Sequence, residues 1–448
     1  MSKKIFFLVG EDEYHSARTI PPFAEQVAGE LGCEAVLSVG VEADPLDLGG
    51  LAEAALLVMA VRFRNPTPEQ LRQLHDWFVS GRPAVGLRTT SHAFSNASGW
   101  CPDYFGGHYM SHAPNPQGQL AVVYPAASSH PIVRDLPRVT EMGYGGTYNA
   151  VPLADTATPL LFGKTAELPA EPVAWINRYT PSSRLFFTSL GSAEHFEVPM
   201  FTRLLRNAIA WCLGEGAAEA VAGETAAGVL PPPPRRPPHS ATVLFTGAPL
   251  QGWRHWDPGR QPPGMRLDRR AQSTAGGQRF DAGRWLAAGS VLTAVPGYGD
   301  IYSEARFGAH RLHLDFQLPR EPEWVPGTLR GTGGVFIAGR YEIELRGPAP
   351  ESAPEYRCGA LNGLKAPDVD AAGAPGAWQE LEVEYTPEGD GGRISAWLNG
   401  SRIHHEVAVS EPTPRGFTEL PEAWRGKCPL RLQADASPVR FANIWASE

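Results

Sequence analysis

The sequence predicts an α/β domain followed by an all-β domain: an N-terminal doubly wound, flavodoxin-like and mostly parallel sheet, then a C-terminal antiparallel β-sandwich or jelly roll. Three observations carry this expectation. Up to Leu213, near-continuous apolar segments alternate with amphipathic ones, the pattern of strands buried on both faces between helices. From Glu215 the chain turns to Ala, Gly and Glu and then to Leu230-Pro-Pro-Pro-Pro-Arg-Arg-Pro-Pro-His239, a run that favours a semi-rigid polyproline spacer. From Thr242 no helical period persists, and short alternating segments are broken by Gly, Pro and Asp, as in a sandwich. The expected division is 1–214, a linker at 215–241, and 242–448.

In the first domain, Ile5–Val9 reads as a buried strand and Pro21–Leu31 as an amphipathic helix stopped by Gly32. Glu34–Val39 and Ala54–Val61 supply further strands. Thr67 is placed as an N-cap, Pro68 as the first helical residue and Gln70 as the partner in a T-x-x-Q capping box. Leu71, Leu74 and Phe78 then form one apolar stripe, and Gly81 ends the helix. Ala84–Leu87 and Leu185–Leu190 are buried strands, the second feeding a helix at Pro199–Leu213.

In the second domain, His310–Leu318 alternates, with Leu312, Leu314, Phe316 and Leu318 on one face. Glu380–Tyr385 does the same with Leu381, Val383 and Tyr385. Arg393–Leu398 runs into Asn399-Gly400, a strong hairpin signal, and strands follow at Ile403–Val409, Leu430–Gln433 and Val439–Trp445. The segment Gly331–Gly347 contains a strict alternation: Tyr341, Ile343 and Leu345 on one face, Arg340, Glu342, Glu344 and Arg346 on the other. That charged row is either a solvated sheet face or the floor of a polar, sugar-sized groove.

Composition bounds the function. The 448 residues exceed one hydrophobic core. A net charge of -9, with no basic stripe, leaves no footprint for nucleic acid. Five cysteines without a CxxC pair argue against a disulfide framework. The only apolar run near the N-terminus, Ile5–Val9, is too short for a signal-peptide core, and no stretch reaches membrane-spanning length. A cytoplasmic protein without a nucleic-acid or membrane partner is expected, with no cofactor and no metal assigned.

Ligands of open α/β sheets bind beyond the carboxyl ends of the strands. Those ends carry Glu11-Asp12-Glu13-Tyr14-His15, then Arg62 and Arg64, then Arg88-Thr89-Thr90-Ser91-His92, then Ser192, Glu194 and His195. His108 and His112 have a metal-ligand spacing only if helical. The flanking Gly106, Gly107 and Pro114 favour a loop.

The motifs Gly10-Glu-Asp-Glu-Tyr14, Gly86-Leu-Arg-Thr-Thr-Ser-His-Ala-Phe94, Phe105-Gly-Gly-His-Tyr109, His130-Pro131 and Thr188-Ser-Leu-Gly-Ser-Ala-Glu-His-Phe196 resemble those of a ThuA-like (trehalose-utilisation) domain, of the class I glutamine-amidotransferase-like superfamily. The resemblance implies a nucleophilic Cys at a strand-to-helix elbow near Gly86. None is present there, so glutaminase chemistry is not expected. Glu11, Tyr14, Arg88, His92, His108, Glu194 and His195 remain as candidate substrate contacts. Glu194 and His195 are either a base pair for another substrate or a tether for the last helix.

The second domain resembles the 3-keto-disaccharide hydrolase family, a concanavalin-like jelly roll. The likeness rests on Leu244-Phe245-Thr-Gly247 with Gly252-Trp253, Gly299-Asp-Ile-Tyr302, Arg306-Phe-Gly308, Gly334-Val-Phe-Ile-Ala-Gly-Arg-Tyr-Glu342, Gly376-Ala377-Trp378, Trp397-Leu-Asn-Gly400 and Pro438-Val-Arg-Phe-Ala-Asn-Ile-Trp445. It implies cleavage of 3-keto-glycosides by C2 proton abstraction and C1–O cleavage. Glu342 is then the expected base, Arg340 the enolate stabiliser and Asp435 the acid, with Glu344, Gln433, Tyr302 and Trp397 contacting the sugar. Family members commonly carry Asp-His-Gly-Asn where this chain reads Gln433-Ala-Asp-Ala-Ser437, so Asp435 stands in the place of the His. Either Asp435 substitutes for it or the domain binds sugars without cleaving them. A further alternative places catalysis in the N-terminal domain, with the sandwich as a targeting module.

Overall fold

The computed structural model describes residues 2–41, 45–97, 100–107, 109, 111–151, 153–154, 156–165, 170–214, 237–247, 250–256, 285–321, 325, 330–348, 352–413 and 426–448. It separates into two compact units, Met1–Gly223 and Glu224–Glu448. His108 and most of the Pro-rich linker lie outside the described residues.

The first unit runs β1 (Lys4–Gly10), α1 (Ser16–Glu30), β2 (Glu34–Gly40), β3 (Leu56–Val61), α2 (Pro68–Val79), β4 (Ala84–Leu87), α3 (Trp100–Phe105), β5 (Ser111–His112), β6 (Gln119–Val123), β7 (Val139–Met142), β8 (Tyr148–Asn149), β9 (Thr158–Lys164), β10 (Glu171–Asn177), β11 (Leu185–Thr188) and α4 (Pro199–Cys212). Nine strands form one sheet in the order β2-β1-β3-β4-β11-β10-β9-β6-β7. The first five are mutually parallel, as the strand–helix alternation predicts. The other four continue the sheet antiparallel. Parallel neighbours need a long crossover, and between β6 and β11 the described residues hold no helix longer than a 3-10 turn.

Sequence alternation sets the two layers. Ile5, Phe7 and Val9 of β1 pack with α1 and α4 on one side, while Phe6 and Leu8 pack with α2 and α3 on the other. The Thr67–Gln70 capping box forms as read. Helix α1 begins five residues before the expected Pro21, because the Glu11 carboxylate accepts the Tyr14 and Ser16 amides, each at 2.7 Å, and holds the first turn.

The second unit contributes β12 (Thr242–Phe245), β13 (Trp253–Trp256), β14 (Leu286–Ala288), β15 (Val291–Thr293), β16 (Asp300–Phe307), β17 (His310–Gln317), β18 (Gly333–Ile337), β19 (Tyr341–Leu345), β20 (Trp378–Glu388), β21 (Gly391–Leu398), β22 (Ser401–Val409), β23 (Cys428–Leu432) and β24 (Arg440–Ser447). An eight-stranded sheet, β14-β15-β24-β17-β20-β21-β22 with β12 on β24, and a five-stranded sheet, β13-β16-β23-β18-β19, are antiparallel throughout. They share one core, to which Leu312, Leu314, Leu381, Val383 and Ile394 come from the first sheet and Ile301, Leu432, Val335, Tyr341 and Ile343 from the second. This is the expected β-sandwich. No helix among the described residues is long and apolar enough to cross a membrane.

Strand β19 lies at the edge of its sheet. Its outward backbone groups are nevertheless used: Glu344 donates to the Ala360 carbonyl, Gly359 to the Glu344 carbonyl and Asn362 to the Glu342 carbonyl. The Glu342 amide donates to Thr413 Oγ1 at 2.7 Å.

Candidate functional site

In β19 the apolar face predicted from alternation packs into the core, but the opposite face is not solvated. Glu342, Glu344 and Arg346 are only 1%, 3% and 7% exposed. Cross-strand register explains what they meet. Tyr302 of β16 opposes Arg431 of β23, Arg431 opposes Phe336 of β18, and Phe336 opposes Glu342. Directly paired residues share a face, so one row crosses four strands: Tyr302, Arg431, Phe336, Glu342. The Arg431 guanidinium lies 3.2 Å from the Phe336 ring centroid and 3.6 Å from the Asp300 carboxylate. Gly334 opposes Glu344, and alternation puts Gln433 on the same face as Arg431.

The carboxyls are tied together. Asn362 Nδ2 donates to Glu342 at 3.0 Å and also to Glu344, while Arg346 pairs with Glu344 at 2.8 Å. Burial pushes the Glu342 carboxyl well above the usual carboxylate range. Glu344, Asp300 and Asp435 add to this, and Arg431 opposes it. Glu321, whose carboxylate accepts from Ser437 Oγ at 2.6 Å, is pushed up to about 7, by burial first and by Asp435 among its neighbours. Asp300 accepts the Ala434 amide at 3.0 Å, anchoring the turn that carries Asp435.

Tyr302, Gln433, Glu342 and Glu344 are therefore brought to one sheet face, with Asp435 beside it. Two other expectations need correction. Arg340 turns away: its guanidinium lies over the Tyr341 ring and donates to the Tyr341 hydroxyl and the Asp390 carbonyl. It sits in the tight turn between β18 and β19, before pairing begins, and so escapes the strand's alternation. The cations among the carboxyls are Arg431, beside Asp300, and Arg346, beside Glu344. Trp397 lies on β21 of the other sheet, opposite Glu382 and Arg402, and does not join the row. Arg431, Asp300, Asn362 and Glu321 were missed. Arg431 was readable, since Leu430-Arg-Leu-Gln433 alternates and puts Arg431 on the face of Gln433.

Gly334 makes room for this arrangement. A Cβ built there would overlap the Glu342 carboxyl. Alanine ordinarily favours a strand over glycine, yet Gly334→Ala is expected to destabilise the domain by ~1–3 kcal/mol through overpacking. Urea denaturation checks this, and an unchanged midpoint would mean that the carboxyl swings aside without cost.

On the eight-stranded sheet, His313 Nδ1 stands 3.6 Å from a Glu382 oxygen and 3.8 Å from a Glu380 oxygen. Ligand atoms of this trio lie within 4.8 Å of one another, a nitrogen-and-oxygen donor set of the kind divalent metals accept. Sequence reading assigned no metal and did not single out this trio, whose members are joined only by strand pairing.

The first unit has its own cluster, beyond the carboxyl ends of β1, β3 and β4. Arg88 follows β4 in the left-handed region, with φ 35°. This is the strand-to-helix elbow at which the resemblance places a nucleophile, and a guanidinium occupies it. Arg88 is 1% exposed. It donates to the Ser189 carbonyl at 2.8 Å, to Asn115 Oδ1 at 3.0 Å and to the Tyr14 hydroxyl at 3.3 Å. It also lies over the Tyr14 and Tyr148 rings at 4.2 and 4.6 Å. His92 packs on Tyr109 at 4.6 Å, and Tyr109 on Tyr148 at 4.7 Å. Burial, followed by Arg62, Arg88 and His112, pushes His92 down to about 3.

Tyr14, Arg88 and His92 thus converge, whereas three expected residues do not take part as contacts. Glu11 caps α1. His195 is saturated, accepting the Gly191 amide at 2.9 Å on Nδ1 and meeting the Tyr144 carbonyl at Nε2; burial lowers it to about 4. Glu194 points to solvent, because successive positions of the 3-10 turn diverge. The Glu194–His195 base pair does not form, and His195 is a tether.

Residues 7–212 match the family described as "Trehalose utilisation", and residues 240–447 match the 3-keto-alpha-glucoside-1,2-lyase-like domain. The two matches support a carbohydrate-related function. More particularly, the chain joins a ThuA-like domain to a 3-keto-disaccharide hydrolase-like domain. Among solved structures, a provisionally named glycosyl hydrolase of Parabacteroides distasonis is similar at 22% identity over 51% of this chain and 98% of that one, with a TM-score of 0.38. A provisionally named ThuA-like protein of Bacteroides uniformis is similar at 19% identity over 47% and 91%, TM-score 0.37. A carbohydrate-binding module of Bacillus subtilis is similar at 13% identity over 44% and 96%, TM-score 0.22. No curated protein matches the chain.

Proposed function

We propose that the C-terminal domain cleaves 3-keto-glycosides by β-elimination, with Glu342 as the base. The observation that carries this reading is the buried row of Glu342 and Arg431, a raised carboxyl and a guanidinium on one sheet face. A C3 ketone acidifies the C2 hydrogen. Ionised Glu342 takes that proton, and the C2–H electron pair passes into an enolate whose oxygen Arg431 stabilises. Collapse of the enolate forms the C1=C2 bond and expels the C1 oxygen, which takes a proton from Asp435 or Glu321. Water added across the double bond then completes hydrolysis. A carboxyl near neutrality suits the acid role, which favours Glu321. Tyr302, Gln433 and Glu344 lie on the same face to contact the sugar.

Incubating the full chain with a 3-keto-glucoside and following the released alcohol by chromatography tests the reading. Release is expected. Saturable binding without release would replace it with a carbohydrate-binding role, the reading that the altered Gln433–Ser437 segment favours.

A further inference from the structure

We propose that the cluster around Arg88 binds the carboxylate of a small sugar acid. Four features of the N-terminal unit lead there. In the strand order β2-β1-β3-β4, chain progression reverses between β1 and β3, and ligands of such sheets settle in the crevice outside that point. Tyr14 follows β1, Arg62 follows β3 and Arg88 follows β4, so the cluster stands at the crevice.

The second feature is charge. Arg88 is 1% exposed, its described partners are neutral, and its Nε–H has no acceptor. The nearby carboxylates are otherwise engaged: Glu13 pairs with Arg62 at 2.8 Å, and Glu11 is held by two backbone amides. A buried cation facing only dipoles is costly and calls for an anion. Third, Arg88 is held in a left-handed conformation, a strained state that recurs where a side chain must be aimed at a ligand.

The fourth feature selects the anion. Tyr14, Tyr109 and Tyr148 present ring faces around the guanidinium, and His92, held neutral, adds another. Aromatic faces suit the C–H face of a sugar ring, and a planar guanidinium suits a carboxylate. One uncompensated charge balances one carboxylate, whereas a phosphate dianion would also need Arg62, which Glu13 already holds.

Titration calorimetry on the full chain with glucuronate, gluconate, glucose and inorganic phosphate tests the proposal. Sugar acids are expected to bind one to one, glucose not to bind, and phosphate to bind more weakly. Arg88→Gln is expected to weaken the sugar acid roughly 10- to 100-fold, as for loss of a charge-assisted hydrogen bond. Because that variant could fail to fold, Asn115→Asp supplies a second arm. It is isosteric, only partly buried, and sets a carboxylate 3.0 Å from the guanidinium, so it should fold and abolish binding. Equal binding of glucose, tighter binding of phosphate, or undiminished sugar-acid affinity in Asn115→Asp would each overturn the proposal. The site and the elimination chemistry lie in different units, so failure of one leaves the other standing.

Discussion

Glu342→Gln is expected to lower turnover of a 3-keto-glucoside by about 10²–10⁴-fold, the contribution of a positioned general base, while making the domain more stable at pH 8. The two effects share a cause. The folded state holds the Glu342 proton to a higher pH than the unfolded chain does. The carboxyl's favourable contribution is therefore complete below the unfolded value of about 4.3 and is lost as pH rises through the folded one. Above that point the wild type buries an anion beside Glu344, Asp300 and Asp435. Glutamine is neutral at every pH and keeps the oxygen that accepts from Asn362. Its advantage should be small at pH 4 and grow as pH rises towards 8. Thermal unfolding at both pH values, with turnover assays alongside, checks this. An activity loss below tenfold would remove Glu342 as base, and equal stability differences at the two pH values would mean that its carboxyl titrates normally.

Arg431→Met is expected to destabilise the C-terminal domain by about 3–5 kcal/mol at neutral pH, the cost of removing one partner from a buried charged pair. Methionine keeps much of the contact with Phe336 but leaves Asp300 and the Glu342–Glu344 pair without this guanidinium. Unfolding of the full chain measures the destabilisation through the C-terminal transition. An upward shift would show that packing, not charge, holds the row.

The strand periods made the architecture legible. Alternation at Tyr341–Leu345 placed the inward face correctly because a one-residue slip would bury the Glu342 and Glu344 carboxyls in the hydrophobic core. It could not say what covered the other face, since that depends on which strands lie alongside. Arg431 reaches Glu342 through β18, and Asp300 reaches Arg431 from β16. Such contacts join residues far apart in the chain, and no local pattern encodes them. Arg340 misled for the same reason: it is two residues from Glu342, but the turn redirects it. The antiparallel half of the first sheet was hidden because β9 and β10 are as apolar as parallel strands. For Glu194 and His195 the sequence left a base pair and a helix tether both open, because adjacency in sequence does not say whether two side chains point the same way.

The edge position of β19 links solubility to chemistry. An uncovered edge strand is a template for another chain, and an apolar one invites aggregation. Here the Gly359–Asn362 segment closes that edge with its backbone while Asn362 grips both carboxyls with its side chain. A change that loosens Asn362 from the carboxyls also tends to unzip the cover, so damage to this site would surface as self-association as well as lost binding.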